Sequence, residues 1–387
     1  MALRRAAALI VVTLTLAFCG CVRHSHTPRD PQLAIELRWV KGYPGETQAK
    51  VETGLLWALS FMGASLPLEA PVFSWHKNIV TLDLDAAGVL PATRPAWTAV
   101  LNVLKGSEEY KKTGGMDIGR FLMLTLCSSH QYFALTDAPR TFSDFEASHK
   151  QQWKPAAVVE SDIAYGNRLL HISQASRIAD IYFIAYEGKG RLADNSFQKE
   201  DIEVIDFMPN GQLRFALFDP EGHPKAAATP ELTAAGKPSN CLWCHEINLE
   251  PPFRNTTSLP GYYSAEELRA LIQERMKIVA EYRRTLKSQI DFRRINDHTY
   301  AELLYLSFAE PSVQRLAEEW GLPESEVSAR VRNLPTHAQK EARYLGEHLY
   351  ERAAVDPLAP YPVIQVPSHI RAASAYEPDL ISAGSAP

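Results

Sequence analysis

This sequence predicts an α+β fold, mainly helical, in which a helical N-terminal region, a central antiparallel β-sheet and a helical C-terminal region follow one another. Three observations carry that expectation. Between residues 45 and 150 apolar residues recur at the spacing of one helix face. From 156 to 220 the period shortens, and β-branched and aromatic runs are broken by Asn210-Gly211, a hairpin signal. After residue 260 the helical period returns behind Ser264-Ala-Glu-Glu267, a capping-box sequence.

The first 21 residues stand apart. Arg4 and Arg5 precede an apolar run from Ala6 to Phe18, a secretory signal pattern too short to span a bilayer. It ends in Phe18-Cys19-Gly20-Cys21. This resembles a bacterial lipoprotein signal, with Cys21 behind small Gly20 as the expected lipidated residue and Cys19 as the alternative. An ordinary cleaved signal is the competing reading. Residues 22–34 are polar and proline-bearing, and are expected to form a tether. His24 and His26 fall in that solvated stretch. The expected location is the periplasm or the outer face of the bacterial envelope, lipid-anchored.

Residues 35–155 form the helical N-terminal region. Val51, Leu55, Ala58, Leu59 and Met62 define a first helix. Pro95 suits the first turn of a second, ahead of Trp97, Val100, Leu101 and Leu104. Asp117 is an N-cap type opening a third through Phe121 and Leu124. Val80, Leu82 and Leu84 alternate with polar residues, which predicts one short strand.

Residues 156–220 predict a sheet of four to five antiparallel strands, including 181–186, 202–208 and 213–218. Gly188-Lys189-Gly190 lacks the remainder of a phosphate loop and reads as a turn. Residues 221–353 hold a proline-rich approach, a long helix after Ser264 and further helices near 298–309, 311–320, 323–333 and 336–353. Residues 354–387 carry prolines and are expected to trail over the surface.

The chain has 45 acidic and 40 basic residues, a balance that calls for neither nucleic acid nor an anionic surface. Residues 313–331 resemble a helix-turn-helix around Gly321. The second helix opens with Glu324 and Glu326 instead of phosphate-binding bases, so a helical corner is expected and no nucleic-acid partner. Of five cysteines, two lie in the signal and Cys127 stands alone, so no disulfide framework is expected. Cys127 reads as a buried apolar residue; with His130 it supplies too few ligands for zinc.

The remaining two cysteines carry chemistry. Cys241-Leu242-Trp243-Cys244-His245 reads C-x-x-C-H, the c-type haem attachment signature. Two thiols one turn apart suit thioethers to two vinyl groups, and the following histidine suits a proximal iron ligand. A zinc site needs a second ligand pair. A redox dithiol usually sits in a strand-to-helix setting, whereas Lys237-Pro238-Ser239-Asn240 precedes this one.

Over roughly residues 225–300 the chain therefore resembles c-type cytochromes. The resemblance implies one covalent haem c, Cys241 and Cys244 as anchors and His245 as the proximal ligand. It implies that a proline carbonyl, with Pro260 the nearest candidate, accepts the His245 ring N–H. Trp243 is expected to cover a haem edge or face a partner. Met276 is a candidate distal ligand, and so is His298; His223, His337 and His348 are weaker ones, and a five-coordinate iron is an alternative. Pro238 interrupts the helix that such proteins usually run into the motif.

The function expected from this is an exported monohaem c-type cytochrome-like protein that transfers electrons to and from redox partner proteins of the envelope, a carrier more than an enzyme. The alternatives are a haem-containing sensor or peroxide-reactive protein, and a lipoprotein binding module in which haem is accessory.

Overall fold

The computed structural model describes residues 28–149, 153–161, 163–245, 253–257, 259–340 and 342–384. The expected lipidation sites Cys19 and Cys21 lie outside them. Among the described residues no helix is long and apolar enough to cross a membrane.

The architecture is α+β, with helices and a central antiparallel sheet. In chain order, β1 (Ala34–Arg38) precedes α1 (Gln48–Phe61), β2 (Phe73–His76) and β3 (Ile79–Asp83). Then come α2 (Leu84–Ala87), α3 (Arg94–Gly106), α4 (Glu108–Thr113), β4 (Met116–Asp117), α5 (Ile118–Thr125), α6 (Ser129–Leu135) and α7 (Phe142–Ser148). The larger sheet follows as β5 (Trp153–Ser161), β6 (Arg168–Ser173), β7 (Phe183–Lys189), β8 (Gln198–Phe207) and β9 (Leu213–Phe218). After it lie α8 (Pro238–His245), β10 (Phe253–Thr257) and α9 (Ala265–Thr285). The chain closes with α10 (Thr299–Ala309), α11 (Val313–Trp320), α12 (Glu324–Val331), α13 (Arg352–Val355) and α14 (Leu380–Gly384).

The expected N-terminal helices form where their signals lie. Pro95 falls within the first turn of α3, and the Asp117 carboxylate accepts the backbone N–H of Gly119 at 2.8 Å. The region holds four strands instead of one, in the order β2-β3-β1-β4. The alternation at Val80 and Leu82 marks β3, whereas β2 and β4, of four and two residues, are too short to show one. The larger sheet has the order β10-β5-β6-β7-β8-β9, antiparallel throughout. The Asn-Gly turn joins β8 to β9, with Gly211 at φ +81°. The Asn210 amide donates to the carbonyls of Ser60 and Ala64, at 2.8 and 2.9 Å, and so docks the hairpin on α1. Gly190, at φ +82°, turns the chain after β7.

Both faces of the sheet are covered. On one, Tyr182, Ile184, Val204 and Phe218 pack with Phe142 and Phe145 around α7. On the other, Ile172, Phe183, Phe207 and Phe215 join a core that runs from Leu33 to Leu380. That second face receives α8 through Leu242 and α9 through Leu268, Leu271 and Val279. Ser264 and Glu267 close the capping box of α9.

Four further expectations need correction. The tether does not run to residue 34: Leu33 and Ala34 are buried and Ala34 opens β1. Residues 336–353 are not a helix: His337 and Leu349 exchange backbone bonds at 3.0 and 2.9 Å, and only α13 closes the segment. Pro335 and Gly346 interrupt the apolar period there. The C-terminal segment does not simply trail: Val366 and Leu380 are buried in the main core. Pro238 does not break the motif helix but starts it, a position where the missing N–H costs nothing.

A buried ion network fixes the helical side. Arg120 meets Asp356 at 2.9 and 3.0 Å and Glu109 at 2.7 Å. Arg315 meets Asp117 at 3.0 Å and Glu319 at 2.7 Å, and Arg352 meets Glu319 at 2.8 Å. The three guanidinium groups surround the Phe308 ring, Arg352 nearest at 3.7 Å. Burial favours a neutral Glu319, but Arg352 and Arg315 outweigh it and hold the carboxyl at about 2. Gly321, at φ +65°, caps α11 and leads into α12. Arg315 and Glu319 of this helical corner thus face inward, while Glu324 and Glu326 are exposed.

Candidate haem-attachment site

The C-x-x-C-H pentapeptide occupies the last five residues of α8, and Leu242 anchors it in the core. Two residues separate Cys241 from Cys244, so the two thiols stand about one turn apart on neighbouring positions of one helix face. Neither is in a disulfide; Cys241 is half-buried and Cys244 exposed. Burial, with the nearby Glu203 carboxyl next, pushes the Cys241 thiol well above its ordinary range and keeps it protonated.

The His245 ring stacks on Phe215 of β9, with centroids 6.0 Å apart and planes 24° from parallel. Burial, reinforced by Arg168, lowers its pKa to about 4. The imidazole is therefore neutral at neutral pH, the form that ligates a metal. Its Nδ1 is buried and has no hydrogen-bond partner among the described residues. The expected bond to the Pro260 carbonyl is absent from this arrangement. Pro260 lies exposed in a turn, where Leu259 accepts the backbone N–H of Tyr262 at 3.0 Å.

Opposite the helix, the sheet presents a charged group. Arg168 of β6 meets Glu187 of β7 at 2.5 Å and Glu203 of β8 at 2.7 Å. Two carboxyls share one guanidinium. Burial first, and then the Glu187 charge, push Glu203 up to about 8 against the pull of Arg168. A cavity of about 30 Å³ lies between Arg168, Glu203, Phe215 and the motif. It has room for about one water molecule, not a macrocycle.

The N-terminus of α8 is clamped by the chain's C-terminal segment. The backbone N–H of Lys237 donates to the Arg371 carbonyl at 2.7 Å, and the Ser239 hydroxyl donates to the Ile370 carbonyl. The Lys237 ammonium, fully buried, meets Glu377 at 2.6 Å and the Ser374 hydroxyl at 3.1 Å. Glu377 also accepts the backbone N–H of Ser129 at 2.9 Å, which joins α6 to the same clamp. Trp243 lies under the Arg371 guanidinium, 3.5 Å from the ring centroid, a cation–π contact. Cys127 is buried in the core, and burial pushes its thiol up to about 12.

The distal-ligand candidates are placed elsewhere. Met276 lines a separate groove beside α9, and His298 packs its ring 6.2 Å from Trp57, with Glu302 3.8 Å away. Neither lines the cavity at the motif. His223 pairs with Asp219 and His337 with Glu310, while His348 is exposed. Among the described residues no three His, Cys, Asp or Glu side chains converge as a metal-ligand set.

Sequence reasoning missed Arg168, Glu203, Lys237 and Glu377. Glu203 interrupts an apolar alternation, a visible signal, but both sheet faces are covered and the pattern does not say which one it meets. Lys237 and Glu377 are 140 residues apart, and only the fold joins them.

The donor chemistry fits haem c: two free thiols on one turn, Cys244 exposed and Cys241 half-buried, and a neutral imidazole with an unsatisfied ring nitrogen. The enclosed space does not contain the macrocycle, so a haem held here is not sandwiched between α8 and the sheet in this arrangement. No protein-family model matches the chain, and neither a curated protein nor a solved structure matches it.

Proposed function

We propose that this chain is an exported, lipid-anchored monohaem c-type protein that carries electrons in the bacterial envelope. The observation that carries the reading is the motif helix. Cys241 and Cys244 lie one turn apart on α8, and next to them a neutral His245 retains an unpartnered, buried Nδ1. Cys241 and Cys244 would hold the haem through thioethers and His245 would ligate the iron. The haem would supply one-electron redox chemistry. The chain's own part is orientation and charge. Phe215 stacks on the imidazole, the Lys237–Glu377 clamp sets the helix, and Arg168 with its two carboxyls sets the local charge. Redox proteins of the envelope are the partners this reading implies.

Haem staining after denaturing electrophoresis tests it. The wild-type chain is expected to stain and a Cys241→Ser, Cys244→Ser variant to lose the stain. Staining that survives the double substitution contradicts the assignment.

A second reading, a sensor or peroxide-reactive haem, draws on the placement of Met276 in a separate groove and of His298 against Trp57. The optical spectrum separates the two. A low-spin spectrum unchanged by carbon monoxide supports electron transfer; a high-spin spectrum that shifts with it supports the second reading.

A further inference from the structure

Away from the motif, a groove of about 1410 Å³ runs along one side of α9 and is lined on its other side by residues of the 286–293 segment. None of its lining residues lines the motif cavity. It is well above the few hundred to thousand Å³ of a typical small-molecule pocket.

Its floor is apolar. Ile272 and Met276 of α9 and Phe292 of the 286–293 segment line it. Leu68, 62% exposed, stands at the rim. Phe292 is held by Arg283, whose guanidinium lies 4.3 Å over the ring while its Nε donates to the Gly211 carbonyl at 2.8 Å. The wall is thus fixed by the sheet's own hairpin.

The walls are cationic. Arg269, Lys277, Arg283, Arg284 and Arg293 line the groove, against one acid, Asp291. Asp291 is already committed to Arg293 through two bonds of 2.8 Å. Arg269 and Lys277 have no carboxylate partner among the described residues. Arg269 and Arg284 mark the two ends of the α9 wall, and a helical rise of about 1.5 Å per residue puts them roughly 22 Å apart. The groove is therefore long, apolar along its floor and positive along its sides.

We propose that this groove binds an elongated amphipathic carboxylate, an extended hydrocarbon chain with an anionic head. A small inorganic anion would leave the apolar floor in water. A neutral hydrocarbon would leave the unpaired cations without a partner. A free long-chain carboxylate covers the floor with its chain and pairs its head with a cation on the wall. The proposal does not rest on the haem reading.

Displacement of a fluorescent conjugated polyene fatty acid from the purified protein tests it, with circular dichroism confirming that each variant is folded. The site is expected to saturate at one probe per chain and to bind the acid but not its methyl ester. An Arg269→Glu, Lys277→Glu variant should weaken binding roughly tenfold or more, the loss of one well-placed charge pair. Both residues are exposed, so folding should be intact. Ala280→Trp, which fills the groove without changing charge, should weaken it as well. The proposal is overturned if the ester binds like the acid, or if both variants bind like the wild type. It is also overturned if anionic vesicles or an acidic polypeptide bind through Arg269 and Lys277 while the free carboxylate does not.

Discussion

At the scale of single residues, Glu203 decides how the site responds to pH. Its folded-state pKa of about 8 lies above the ordinary carboxyl range because it is buried beside Glu187 with one guanidinium for the two. The folded protein therefore holds a proton that the unfolded chain has released between about pH 4.5 and 8. The native state binds more protons there, so this stabilisation is complete below the ordinary carboxyl range and is lost as pH rises towards 8. The slope is at most about 1.4 kcal/mol per pH unit. Glu203→Gln, which keeps a neutral side chain in place, should flatten the decline in Tm between pH 5 and 8. An unchanged slope in the variant would show that another group is responsible.

At the scale of elements, the motif helix depends on the C-terminal segment. Among the described residues Glu377 is the only carboxylate that pairs with the fully buried Lys237 ammonium, and it also accepts the backbone N–H of Ser129 at the start of α6. Removing one partner of a buried pair leaves an uncompensated charge, which costs about 3–5 kcal/mol. Glu377→Ala should lower stability by that order in urea unfolding followed by tryptophan fluorescence. A Lys237→Met, Glu377→Leu variant should recover most of the loss. A cost below about 1 kcal/mol for Glu377→Ala would mean that the clamp does not hold α8.

Which elements could be read from sequence follows from the range of the interactions that make them. The α1, α3 and α5 signals, the Asn210-Gly211 hairpin and the Ser264 capping box are local, within a few residues, and the structure places each where its signal lies. The strands of β1, β2 and β4 are too short to show a period. Strand β10 pairs with β5 across nearly a hundred residues, and no local feature announces that partnership. The 336–353 segment has helical-looking apolar spacing but is held instead by the His337–Leu349 bridge. At the site, Cys241, Cys244 and His245 are legible because their chemistry lies in five consecutive residues. Arg168, Glu203 and the clamp depend on tertiary folding and are not.

At the scale of the whole molecule, one core joins residues from Leu33 to Leu380 and takes in one face of the sheet, α9 and the N-terminal helices. The Arg120, Arg315 and Arg352 network ties α5, α11 and α13 together around Phe308. A core shared in this way should melt cooperatively. Calorimetry is expected to show one transition for residues 28–384. Arg352→Ala should move it to lower temperature by the equivalent of about 3 kcal/mol or more, because Glu319 is left buried with fewer partners. Two separate transitions, with the sheet melting apart from the helices, would contradict this picture.

The proposed function requires that Cys241 and Cys244 carry a covalent haem. Mass spectrometry of the peptide spanning Cys241–His245, taken from protein exported by a host competent in cytochrome c maturation, tests it most directly. The peptide is expected to gain the mass of one haem, to retain it after acid–acetone extraction, and to lack it when both cysteines are serine. Free, unmodified thiols at both positions in the exported protein would contradict it.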